Sequence, residues 1–239
     1  MTFIINHKFT YEPLERITQP SGIRHYKCPQ TGNMLPSVTT ILDSTLDKTS
    51  LKEWQEFVGE KKANAVKKEA TDLGSLVHEH IEKFIIGEER PKGNNLIRIQ
   101  SRQMADQIIN NGLKNVNEIW GQETALYYPG LYAGTTDLVG VYKGKEAIMD
   151  HKTAKKLRSE DQIIGYYYQI AAYAIAHNHL YGTNIQTGVI FMVDRNYNYK
   201  DFYINETNMK IYQEQWLNQV EKYYKNHLTN LSNSYIILQ

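Results

Sequence analysis

Apolar positions in this chain recur with two different periods, and the changes of period mark its elements. Leu73, Leu76, Val77, Ile81, Phe84 and Ile85 recur at helical spacing and predict a helix over about 72–86. A helix before it, over 51–70, is expected to turn Trp54, Phe57 and Val58 inward, with Lys61, Lys62, Lys67 and Lys68 on its other face. Ile97, Met104, Ile108, Ile109, Leu113 and Val116 predict a helix over 96–120 beyond the polar loop 87–95. Ser159 and Gln162 have capping-box spacing and open a helix that Gly182 stops. A last helix, 207–226, turns Ile211, Trp216, Val220 and Tyr223 or Tyr224 toward the body. The strand pattern marks 123–128, 139–142 and the near-continuous apolar run 187–193. Residues 1–35 read as short strands and turns, with breakers at 19–22 and 31–33.

The stretch 134–156, GTTDLVGVYKGKEAIMDHKTAKK, changes the picture from fold to chemistry. Val139 and Val141 alternate with Gly140 and Tyr142, and Lys143-Gly144 supplies a two-residue hairpin turn. A tight turn sets Tyr142 against Lys145, Val139 against Ile148 and Asp137 against Asp150. Opposed Cβ atoms lie about 4.5–5.5 Å apart. Two carboxylates that close repel unless they share a proton or hold a cation. Lys152, two residues past Asp150, lies on the same face. Strand ends are also charged simply because they are wet, so the register and the helical residues around the hairpin carry the case for a site.

Those helical residues are His78, at the border of its apolar stripe, and Gln169 with Tyr173, which share a face at i and i+4. His78-Glu79-His80 is not a zinc-protease motif, because position 82, where H-E-x-x-H needs its second histidine, is Glu82. Glu123, at the edge of its strand, is a weaker candidate. Ser37 and Thr39, in Leu35-Pro36-Ser37-Val38-Thr39, serve either as helix caps or as phosphate donors. Thr153, Lys155, Lys156 and Arg158 form a basic tail that is either a solvated loop or a grip on a phosphate backbone.

Composition narrows the classes. The 239 residues suffice for one sizeable domain without repeats, expected to divide into a 1–70 extension, a 71–204 core and a 205–239 terminal helix. Lysine and arginine (27) nearly balance aspartate and glutamate (26), so any attraction to nucleic acid must be local. One cysteine, Cys28, excludes internal disulfides and cysteine-ligated zinc or iron–sulfur sites. No apolar run approaches the roughly 20 residues of a membrane span, and no membrane partner is expected. MTFIINHKFT has no basic-then-apolar signal pattern, so a cytoplasmic location is expected, the host cytoplasm if the chain is phage-encoded. The 18 tyrosines offer stacking platforms for bases, although core packing explains most of them.

A helix with His78, three strands carrying Asp137 and Asp150-His151-Lys152, then a helix with Gln169 and Tyr173: this order resembles the PD-(D/E)xK nuclease superfamily, and within it the RecB-type branch. In detail it is similar to the mitochondrial genome maintenance exonuclease group and its phage relatives. Leu35 to Thr39, Tyr132-Ala133-Gly134-Thr135-Thr136-Asp137, Asp150-His151-Lys152-Thr153 and Gln169-x-x-Ala172-Tyr173 carry the likeness, which spans roughly 25–227. His151 stands where that group commonly has Trp.

The resemblance implies an α/β, restriction-endonuclease-like core: a mixed central sheet with flanking helices in the order αβββαβ, and an N-terminal β/helical extension. It implies one or two Mg²⁺ or Mn²⁺ ions held by His78, Asp137, Asp150 and the backbone carbonyl of His151, with Lys152 acting on the attacking water. Lys152 is expected to have a lowered pKa. Gln169 and Tyr173 would touch the phosphate or a water. The implied activity is exonucleolytic cleavage of DNA, preferably single-stranded, in replication, recombination or repair, with N-terminal helices arching over the site. A structure-specific or restriction-like endonuclease of the same fold, and a catalytically silent nucleic-acid-binding module, remain the competing readings.

Overall fold

The computed structural model describes residues 3–19 and 23–236, and the side chains of the last helix as far as His227. The breaker expected at Pro20 to Gly22 lies outside the described residues.

The centre is a six-stranded mixed sheet. Its long strands are β5 (Val116–Tyr128), β6 (Tyr132–Tyr142), β7 (Lys145–Ala154), β8 (Thr187–Asp194) and β9 (Tyr199–Ile204), with β1 (Ile4–Ile5) on the edge. The order is β1-β5-β6-β7-β8-β9, with β5 to β7 an antiparallel meander and β7 parallel to β8. The parallel step requires a crossover, which α5 (Ile164–Tyr181) supplies. A second sheet of three short antiparallel strands holds β2 (Arg16–Thr18), β3 (Arg24–Lys27) and β4 (Met34–Pro36). A parallel bridge from Ser37 to Ala133 ties it to β6.

Side-chain alternation divides the core into two layers. Val139, Ile148, Ile190 and Met192 pack with α1 (Val38–Thr45), α5 and α6 (Glu206–Ile236). Leu138, Met149, Val189 and Phe191 pack on the other face with α3 (Glu60–Ile85) and α4 (Leu96–Asn111). The mixed sheet with flanking helices is the architecture expected from the resemblance.

The hairpin register is as the sequence predicts: Tyr142 pairs Lys145 and Val139 pairs Ile148. Both turn residues have positive φ, Lys143 at 49° and Gly144 at 78°, as a turn matched to strand twist demands.

Four element expectations change. The helix expected over 96–120 ends at Asn111, and its last apolar positions, Leu113 and Val116, belong to a 3-10 turn and to β5. The two helices expected at 51–70 and 72–86 break at Gly59 (φ 81°) rather than near residue 71, giving α2 (Thr49–Val58) and one continuous α3. The inward face assigned to α2 is not buried. Phe57 is 88% exposed and Trp54 37%, because nothing among the described residues covers that stripe. In α6 Trp216, Val220 and Tyr223 are buried as expected, whereas Ile211 is exposed. Among the described residues, no helix is long and apolar enough to cross a membrane.

Candidate active site

The carboxylates lie midway along β6 and β7, where the two strands part, with α3 and α5 on opposite faces of the sheet. The β6–β7 ladder stops at Leu138–Met149, one step short of Asp137 and Asp150. At that step the His151 amide donates to Asp137 Oδ2 at 2.6 Å. Asp150 is buried beside it and ion-pairs with Lys152. From α3, His78 Nε2 lies 3.0 Å from the His151 carbonyl oxygen, and Nδ1 lies 3.7 Å from Asp137 Oδ1. From α5, the Gln169 amide donates to the Tyr173 hydroxyl at 3.5 Å. Gly134 on β6 leaves room for that phenol, since a Cβ there would come within 2.8 Å of its oxygen.

A cavity of about 440 Å³ gathers these groups, with His78, Asp137, Lys152, Gln169 and Tyr173 in its wall together with Ser37, Thr39 and Glu123. Ser37 is also the N-cap of α1, accepting from the Thr40 amide at 2.9 Å, so it is both a cap and a cleft residue. Glu123 has φ 46° in mid-strand, a strained backbone for a residue with a Cβ, and its carboxylate lies 4.0 Å from His78.

The basic tail is elsewhere. Thr153 and Lys155 line a separate groove beside α3 with Arg158 and Arg195, and Lys156 is exposed outside both cavities. The cleft also contains residues that the sequence pattern did not single out: Arg16 and Arg24 from the small sheet, Tyr26 between them, and Tyr166 on α5. Tyr166 places its ring centroid 5.0 Å from the Lys152 ammonium. A grouping of Arg16 and Arg24 near Asp137 depends on the fold, and no local spacing announces it.

Electrostatics hold these groups in opposed states. Burial lifts the Asp150 carboxyl to about 6, against the pull of Lys152. Asp137 is also buried, yet His78, Lys152 and His151 outweigh that and hold it below the usual carboxylate range. Burial disfavours charge on His78, but Asp137 and Glu123 lift it to about 9. Lys152 departs from expectation: burial opposes its charge, but Asp150 and Asp137 prevail and raise its pKa rather than lower it. Tyr173 is pushed up by burial and stays a protonated donor.

The donor set fits a divalent cation. Ligand atoms of His78, Asp137 and His151 lie within 4.8 Å of one another, and those of His78, Glu82 and Glu123 likewise. Lys152 neutralises Asp150 Oδ2, but Oδ1 is buried without a hydrogen-bond partner, a costly arrangement that a cation would relieve. Carboxylate oxygens with imidazole nitrogens and no thiolate suit Mn²⁺- or Mg²⁺-like ions better than soft metals.

A solved structure from Eubacterium rectale, assigned as an exonuclease without that activity being established, superposes on the chain with a TM-score of 0.50. The overlap covers 67% of this chain and 66% of that one at 16% identity. The chain shares the fold of that structure, a central mixed sheet flanked by helices.

In sequence, the chain is 27% identical over 216 residues to mitochondrial genome maintenance exonuclease 1 of Homo sapiens, and 26% identical over 224 residues to the Mus musculus protein. Each match covers 82% of this chain, which spans about 60% of the length of those relatives. No protein-family model matches the chain.

Proposed function

We propose that the chain is a divalent-metal-dependent deoxyribonuclease that shortens DNA from its ends, with single strands as the preferred substrate. The observation that carries this reading is the convergence of Asp137, Lys152 and His78, from two strands and a helix, on one cleft, with Asp150 buried against Lys152. A binding module has no need of two buried carboxylates side by side, and the similarity to exonucleases supports the same reading.

Asp137, Asp150, His78 and the His151 carbonyl would hold Mg²⁺ or Mn²⁺. Such an ion acidifies water and neutralises phosphate charge. Lys152, kept protonated by its carboxylate neighbours, supplies a positive donor to the phosphate oxygens as charge builds on them. The phenol of Tyr173, held protonated, and the amide of Gln169 donate from the opposite wall and orient the phosphate. His151 is displaced from charge chemistry, because burial drops its ring to about 3 and its contribution is the backbone.

The test uses single-stranded DNA labelled separately at each end, incubated with Mg²⁺, Mn²⁺ or EDTA, beside Lys152→Ala protein. Shortening that needs a metal and a free end, and that disappears in the variant, supports the proposal and gives its polarity. Cleavage of closed circular single strands would move the assignment to an endonuclease. No cleavage of single or double strands with either metal would leave the binding-module reading.

A further inference from the structure

A cavity of about 570 Å³, larger than the carboxylate cleft, opens beside it. It lies between the N-terminal segment 5–16 and the strand residues 119–125, with the end of α3 closing one side. Arg16, Tyr26, Glu123 and Thr135 line both cavities, so the two adjoin at these residues.

The small sheet explains how that junction is built. Arg16 pairs with Tyr26, and Arg24 is two residues from Tyr26 on the same strand. Alternation therefore puts Arg16, Tyr26 and Arg24 on one face, the face turned to the cleft. Neither guanidinium has a carboxylate partner among the described residues, although Asp137 and Glu123 share their cavity. An unpaired arginine beside a phosphodiester-cleaving centre is a ready phosphate donor, and its planar fork suits two phosphate oxygens.

The adjoining cavity has the chemistry of a base pocket. Phe9 and Tyr11, both partly exposed, contribute aromatic surface over the buried Trp120, and stacking on such rings holds any base. Its floor is the outer edge of β5, which β1 pairs only at Glu118 and Ile119, leaving later backbone groups without a strand partner on that side. Gln122, in the same wall, has a buried side-chain oxygen without a hydrogen-bond partner. The volume is that of a small-molecule site and admits unpaired nucleotides rather than a duplex.

We propose that this cavity is a nucleotide subsite next to the cleavage position, in which Arg16 and Arg24 grip the phosphate and the aromatic lining takes the base of a single strand. The proposal rests on the nuclease reading and specifies its substrate class: a strand unpaired for the nucleotides beside the cut.

The test is photocrosslinking, in which short oligothymidylates carry 4-thiothymidine at one position at a time. They are bound to Lys152→Ala protein with Mg²⁺ so that the strand persists, while the wild type is assayed for cleavage. Crosslinks from positions beside the cut should map to residues 7–16 or 121–125. Arg16→Gln with Arg24→Gln should weaken oligonucleotide binding at least about tenfold. Ala125→Phe, which fills the cavity, should do the same while keeping its melting transition. Crosslinks confined to other elements, or a folded Ala125→Phe protein that binds as wild type does, would overturn the subsite while wild-type cleavage leaves the nuclease reading standing. A wild type that neither binds nor cleaves overturns both.

Discussion

The amide of His151 donates to Asp137 at 2.6 Å, and the same residue's carbonyl faces His78 at 3.0 Å. One peptide segment thus fixes the carboxylate with its N–H and presents an oxygen to the imidazole across the cleft. Because this work is done by backbone, His151 should tolerate replacement by another large side chain such as Trp. His151→Trp is expected to keep activity within about tenfold, with any loss traced to repacking against Phe191, on which the ring stacks. A loss comparable to that of Lys152→Ala would show that the side chain matters chemically.

Divalent metal should stabilise the folded chain, because binding to the native state alone shifts unfolding by mass action. Thermal melts with millimolar Mn²⁺ are expected to rise by several degrees over melts in EDTA. Asp150→Asn removes one buried charged ligand and should abolish most of that rise. An unchanged response in the variant would place the metal elsewhere.

Gly134 is the position where the phenol of Tyr173 meets the backbone. A methyl group at 134 would lie 2.8 Å from the Tyr173 oxygen, so the side chain must move. Gly134→Ala should therefore lower activity by about one to two orders of magnitude while costing only about 1–3 kcal/mol of stability. Activity at the wild-type level would argue that Tyr173 does not help orient the phosphate.

Phe57 and Trp216 make opposite predictions from similar patterns. Both are large apolar residues on helical stripes, but Phe57 is 88% exposed and Trp216 is fully buried. Phe57→Ser should leave stability within about 0.5 kcal/mol, and Trp216→Ala should cost about 3–5 kcal/mol in denaturant unfolding. A large loss from Phe57→Ser would mean that its helix packs on something in solution.

These contrasts show what a sequence can and cannot display. The β6–β7 hairpin was legible because its turn and its alternation are local, and they alone set the register that brings Asp137 near Asp150. His78, Gln169 and Tyr173 were legible as positions on helix faces, but their meeting depends on α3 and α5 covering opposite faces of the sheet. The apolar period that runs through 96–120 passes over Asn110-Asn111-Gly112, a helix-stop pattern, and so conceals the start of β5. Periodicity likewise says that α2 has an apolar stripe without saying what covers it. Arg16 and Arg24 were silent because strands of three or four residues leave too little pattern to read, and Asp137, the carboxylate they join in the cleft, is more than a hundred residues away.

Acid should destabilise the chain through His177, one turn past Tyr173 on α5. Its ring is fully buried, with Tyr11 hydroxyl 2.9 Å from Nε2 and Thr183 hydroxyl 2.8 Å from Nδ1, among Phe9, Trp120 and Tyr181. Burial first, and the nearby Lys8 second, depress its pKa to about 4. An unfolded histidine titrates near about 6.5, so between these values the unfolded chain binds more protons than the folded one. The contribution is therefore complete above about pH 6.5 and is lost progressively as pH falls toward 4. Melting temperature should fall by several degrees from pH 7.5 to pH 5. His177→Gln, which cannot take the proton, should flatten the part of that dependence due to this site even if its stability at neutral pH is lower. A variant with the same pH slope as wild type would assign the acid sensitivity to other groups.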